Sequence, residues 1–101
     1  MTTTHPGCIA LDHPAIPGHF PDHPIVPGVV LLTELLHAVK RALGPTVRVV
    51  NIASAKFTAP LHPGEPFMIQ LAVQDDHQVK FSVTRDEALI ASGFLQVDGS
   101  E

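Results

Sequence analysis

Pro27-Gly28-Val29-Val30-Leu31-Leu32-Thr33-Glu34-Leu35-Leu36-His37-Ala38-Val39-Lys40-Arg41-Ala42-Leu43-Gly44-Pro45 is the one long stretch of this chain with a helical pattern. Val29, Leu32, Leu36, Val39 and Leu43 recur at spacings of three and four, as one face of an α-helix requires. Val30, Leu31 and Leu35 widen the apolar surface beyond that stripe, so the helix is expected to be buried on most sides. Lys40 and Arg41 fall in the last turn, where cations suit the helix dipole, and Gly44-Pro45 supplies a stop.

Downstream, the pattern changes to strands. Residues 47–57 begin rich in β-branched side chains and lead to Pro60. Phe67, Ile69, Leu71 and Val73 alternate with Met68, Gln70, Ala72 and Gln74; Val79, Phe81 and Val83 alternate with Lys80, Ser82 and Thr84. A last strand is expected over residues 89–97. Period-two alternation between short polar turns argues an antiparallel meander. A long buried helix and such a sheet must cover each other, which gives an α+β architecture over residues 1–101 as one domain.

Upstream, Pro14, Pro17, Pro21, Pro24 and Pro27 punctuate residues 12–28. Proline fixes φ and removes a donor, so a stiff extended loop is expected there, with a short strand at 9–11 leading into it. Residues 1–8, His5 among them, are expected to lack fixed structure.

Composition narrows the function classes. The chain has 101 residues, 45% of them hydrophobic, and a mean hydropathy of +0.22. That is apolar for so short a chain, and the surplus points to a buried subunit interface. Net charge is −4 and the six Lys and Arg residues are scattered, so no basic stripe serves a nucleic acid or an anionic membrane. The single cysteine, Cys8, cannot form an intrachain disulfide, and the N-terminus lacks a signal-peptide pattern. A cytoplasmic protein is expected. No HExxH or cysteine pair suggests zinc, and His23, four residues after His19, sits in a proline-broken loop rather than on a helix. His13 and His62 read as loop residues.

Chemistry concentrates where the loop meets the helix, in Pro17-Gly18-His19-Phe20-Pro21-Asp22-His23-Pro24-Ile25-Val26-Pro27-Gly28. A neutral imidazole takes a proton near pH 7. A helix N-terminus offers free N–H groups and a positive dipole end, and glycine lets a ligand approach the backbone. Together these can polarise a thioester carbonyl and remove the adjacent proton. A loop histidine is more often structural than catalytic, and the residues by themselves leave both readings open.

The string HFPDHPIVPGVVLL resembles the signature of the 3-hydroxyacyl-acyl-carrier-protein dehydratases, and Ala55-Lys56-Phe57-Thr58-Ala59-Pro60-Leu61-His62-Pro63-Gly64-Glu65 is similar to a second segment of that family, in the same order. The resemblance covers residues 13–97 and implies a hotdog fold, an antiparallel sheet wrapped around one central helix. It implies His19 as the catalytic histidine, Gly28 as the glycine whose N–H binds the thioester carbonyl, and Phe20 and Val29 beside the substrate. The family's acid falls six positions after the proline of Pro-Gly, which is Thr33 here. Glu34 is the next residue, about 100° around the helix. Three readings of this departure stay open: a shifted or overwound helix lets Glu34 serve, Thr33 holds a water, or the subunit is catalytically weak. Glu34 also reads as a plain helix carboxylate near Lys40 or Arg41, and His37, one turn past Thr33, as a packed helix histidine.

The resemblance further implies dehydration of a 3-hydroxyacyl thioester to a trans-2-enoyl thioester, with the acyl chain in an apolar tunnel and the phosphopantetheine arm of an acyl carrier protein reaching in. No metal or redox cofactor is implied. The family's site forms between two subunits, so a homodimer or higher oligomer is expected. The compact chain resembles the small dehydratase-like proteins of aryl-polyene and related pigment synthesis. Two alternatives remain: a non-catalytic subunit that pairs with a competent hotdog partner, and a thioesterase.

Overall fold

The computed structural model describes residues 2–9, 26–75 and 77–98. Helix α1 spans Gly28–Leu43, as the Pro-Gly start and the Gly-Pro stop predict. Pro27 is its N-cap, extended at φ −61° and ψ 145°. The Pro27 carbonyl accepts the N–H of Val30 at 3.0 Å and of Leu31 at 3.3 Å. Gly44 ends the helix at φ 103°, a conformation that L side chains resist, and its N–H donates to the Lys40 carbonyl at 2.9 Å.

Among the described residues five strands make one sheet: β1 Thr2–Gly7, β2 Arg48–Phe57, β3 Phe67–Val73, β4 Gln78–Arg85 and β5 Ala88–Asp98. Their order is β1-β3-β4-β5-β2, with every neighbouring pair antiparallel. The meander β3-β4-β5 is the one the alternation predicts. The start of the chain differs from expectation: residues 2–7 are not without structure but form β1, running from Thr2 opposite Ala72 to Gly7 opposite Phe67. Pairing with β3, rather than any apolar pattern of its own, holds this strand. His5 accordingly has a defined place, with Nε2 2.8 Å from Thr3 Oγ1. Burial, and then the Arg41 cation, lower its pKa.

One face of the meander faces α1. Phe67, Ile69 and Leu71, then Val79, Phe81 and Val83, then Ile90, Leu95 and Val97 are buried, against Leu31, Leu35, Ala38 and Val39 of the helix. Removing such surface from water contributes about 25 cal/mol per Å². The helix is less enclosed than its composition suggests. Of the expected stripe only Val39 is buried, while Val29 is 69% exposed and Leu36 37%. The helix is apolar nearly all round, so spacing alone does not say which side meets the sheet.

Strand β2 closes one edge, and almost its whole length is exposed. Val50, Ile52 and Phe57 lie open on it, and register shifts between Val49 and Asn51 and between Ile52 and Ser54 break its pairing with β5. A long apolar edge strand is a ready template for another chain. The opposite edge, β1, is six residues long and carries Pro6, which has no N–H to offer.

Gly93 marks where β5 passes closest to its neighbours. A Cβ there would run into the Ser54 carbonyl and come within 2.9 Å of the Phe81 ring. Backbone cannot step aside as a side-chain tip can. Gly93→Ala is expected to lower Tm by on the order of 10 °C, measured by thermal unfolding beside Ser92→Ala, which should leave it nearly unchanged.

Candidate active site

The described end of the first sequence motif, from Val26 onward, meets the second motif in space. A cavity of about 460 Å³ opens at the start of α1, lined by Gly28 and Leu31 of the helix, by Phe57 at the end of β2 and Thr58 and Leu61 after it, and by Ile90 of β5. The Val26 N–H donates to the Leu61 carbonyl at 2.8 Å, tying the approach to the helix to the opposite wall. Thr58 fixes that wall to β5: its N–H donates to the Ile90 carbonyl at 2.8 Å and its hydroxyl to the Leu89 carbonyl at 2.7 Å.

Gly28 is the first residue of α1, and no described residue accepts its N–H. The Phe57 ring lies over it, so that a Cβ at Gly28 would sit 3.3 Å from Phe57 Cζ. A helix-start N–H at a positive dipole end, beside an apolar cavity, is the kind of donor that can meet a developing oxyanion. Phe57, Thr58 and Leu61 belong to the quoted motif, but their role as cavity wall was not legible there. Ile90 and Leu31 carried no signal beyond apolar patterning.

The other named residues are placed as follows. His19 and Phe20 lie outside the described residues. Val29 is exposed and turned from the cavity. Thr33 is exposed, and its hydroxyl donates to the Val29 carbonyl four residues back at 2.9 Å. Glu34 turns toward His37, with Oε2 3.7 Å from Nδ1, rather than toward Lys40 or Arg41. His37 is not packed; its side chain is 58% exposed. The helix runs unbroken from Gly28 to Leu43, so Glu34 keeps its regular angle of about 100° from Thr33. Among the described residues no cluster of three or more His, Cys, Asp or Glu could hold a metal ion, and no helix is long and apolar enough to cross a membrane.

Residues 3–94 match the ApeI-like family model, described as ApeI dehydratase. This chain belongs to that family. It is a hotdog-fold family of the 3-hydroxyacyl-acyl-carrier-protein dehydratase type. Among curated relatives, the 3-hydroxyacyl-[acyl-carrier-protein] dehydratase FabZ of Caulobacter sp. (strain K31) is 27% identical over 75 residues, 65% of this chain and 46% of that protein. The FabZ of Wolbachia sp. subsp. Brugia malayi (strain TRS) is 28% identical over 95 residues, 84% of this chain and 63% of that one. The ApeI-like chain thus spans about half to two thirds of the length of these relatives. Among solved structures, the dehydratase heterocomplex ApeI:P from Xenorhabdus doucetiae has a TM-score of 0.83 at 23% identity, covering 95% of this chain and 86% of that one. The (R)-hydratase from A. caviae involved in PHA biosynthesis has a TM-score of 0.79 at 16% identity, covering 97% and 93%. The fold is therefore the hotdog.

The Thr33 bond to its own helix backbone leads to a simple expectation. A back-bonded threonine adds little to a helix, and alanine is the better helix former by about half a kcal/mol. Thr33→Ala should leave Tm unchanged or slightly raised in thermal unfolding; a marked fall would show that the hydroxyl holds more than the Val29 carbonyl.

Proposed function

We propose that this chain dehydrates 3-hydroxyacyl thioesters carried on an acyl carrier protein to trans-2-enoyl thioesters, in fatty-acid or polyene-type synthesis in the cytoplasm. The observation that carries this reading is Gly28, a helix-start N–H beside an apolar cavity of about 460 Å³. The thioester carbonyl docks on that N–H while the acyl chain occupies the cavity, with Phe20 beside it. His19 removes the C2 proton, and the charge that develops on the carbonyl oxygen is met by the Gly28 N–H and the helix dipole. The C2–H electron pair becomes the C2=C3 double bond, the C3–O bond breaks, and the hydroxyl leaves with a proton as water. Proton transfer and oxyanion stabilisation suffice for this elimination, so no cofactor beyond the carrier's phosphopantetheine is invoked.

The proton for the leaving hydroxyl is the weak point of a lone chain. Thr33 spends its hydrogen on the Val29 carbonyl, and Glu34 faces His37. This favours a second reading of the same site: the chain works with a second hotdog subunit that supplies the acid, and a homodimer is weak. The fold neighbour from Xenorhabdus doucetiae is a dehydratase heterocomplex, which supports this. The apolar β2 edge and the open helix face at Val29 and Leu36 are where such a subunit would seat.

The deciding measurement is mass spectrometry of a 3-hydroxyacyl-ACP incubated with the purified chain, alone and with a hotdog subunit bearing an acid at the position of Thr33. Enoyl-ACP should form with the partner and fall by about a hundredfold or more in His19→Ala. Thr33→Glu should raise the activity of the chain alone at least about tenfold, since it puts an acid at the position where the family resemblance expects one. Free acid as product would make the protein a thioesterase, and no product with any partner would end the dehydratase reading.

Assembly is checked separately. Light scattering should give at least twice the chain mass of 10.8 kDa. Val50→Lys should yield monomers that still fold, because Val50 is 57% exposed in the single chain, with Tm lowered by the lost subunit contact. A wild-type monomer at micromolar concentration would count against the shared site.

A further inference from the structure

The 58–66 loop makes one wall of the cavity and has no regular structure of its own. Its middle is held by a cluster that the proposed reaction does not use. Arg85, the last residue of β4, reaches across with one nitrogen: Nη1 donates to the Pro60 carbonyl at 2.8 Å and to Glu65 Oε1 at 3.1 Å. The same Glu65 oxygen accepts the His62 backbone N–H at 2.8 Å, and His62 Nδ1 lies 3.1 Å from it. The Glu65 carboxyl is held below its ordinary range, first by the His62 backbone N–H, then by the His62 side chain and by Arg85, while its own partial burial works the other way. It is thus an ionised acceptor around which the turn is gathered, and charge-assisted bonds of this kind are the strong ones. Leu61 sits between the two residues held in this way. Its side chain is 2% exposed and its carbonyl takes the Val26 N–H at 2.8 Å. Two residues later comes Gly28.

We propose that Arg85 and Glu65 are positioning residues of the Gly28 site: they fix the Leu61 carbonyl, which fixes Val26 and with it the backbone that presents the Gly28 N–H. This deepens the dehydratase reading and rests on Gly28 as the carbonyl-binding group. Neither side chain lines the cavity. Both act through the loop, and a donor misplaced by about 1 Å costs on the order of a hundredfold in rate.

The test has two arms on the full-length assembled protein, using Arg85→Met, Glu65→Gln and Arg85→Lys. The first arm is residue-resolved hydrogen exchange. The Val26 amide should exchange at least about tenfold faster in Arg85→Met and Glu65→Gln, with the Phe81 and Val83 amides of β4 unchanged. Arg85→Lys should restore Val26, because a single nitrogen makes both contacts. The second arm is the dehydration assay, in which kcat should fall with KM held in the same two variants and recover in Arg85→Lys. Val26 protection that survives both substitutions overturns the proposal, as does faster exchange spread evenly over β4 and β5, which would mean only lost stability. A freed Val26 with kcat intact overturns it too. A wild type silent in the assay removes the dehydratase reading alone, and the exchange arm still decides whether the clamp holds Val26. If Arg85→Met does not fold, Glu65→Gln carries the same test.

Discussion

The seating of α1 on the meander governs the rest of the molecule. Leu31, Leu35, Ala38 and Val39 are buried on the inner face of β3, β4 and β5, and most of the apolar core is in that one layer. Because the helix is fixed there along its length, its first turn is fixed as well. Gly28 is thereby brought against the loop that leaves β2, and the cavity is the gap between them. The same seating turns Val29, Thr33 and Leu36 outward, away from the sheet. A single packing choice thus both sets Gly28 beside a cavity and leaves an apolar face uncovered. At 101 residues the chain has little core to spare, and surface left open in this way is costly unless another subunit covers it.

The chemistry follows the same division. What one chain holds together is the part that needs precise backbone: a helix start, a cavity wall and the Val26–Leu61 bond between them. What it does not hold together is a proton donor on the helix. Thr33 is bonded to the carbonyl of Val29, one turn behind it, and Glu34 is turned toward His37. An oxyanion site and a general acid are separable functions, and a shared interface lets different chains supply them.

Much of this was legible in the residues. The alternation at Phe67, Ile69 and Leu71 and at Val79, Phe81 and Val83 placed two strands and their inward faces, because one side of each is buried and the other is not. Pro27-Gly28 and Gly44-Pro45 marked both helix ends, since their backbone demands are local. β1 was not legible: threonines, a histidine and a proline carry no strand pattern, and the partner strand lies some sixty residues away in sequence. The buried side of α1 was not legible either, because Val29 and Leu36 look as apolar as Leu31 and Leu35. The place of Gly28 at the helix start was readable from Pro27-Gly28. The cavity walls at Phe57, Leu61 and Ile90 were not, because only folding brings the end of β2 and the middle of β5 to the start of α1.

The two sheet edges also differ in what they permit. One is a ten-residue strand, exposed along almost all its length, with Val50 and Ile52 on it; the other is six residues long, with Pro6 among them. Among the described strands, a chain that adds along β2 finds no equivalent edge across the sheet for the next to use. Growth in that direction therefore terminates after one addition, and edge pairing leads to a closed pair rather than to an open-ended fibre.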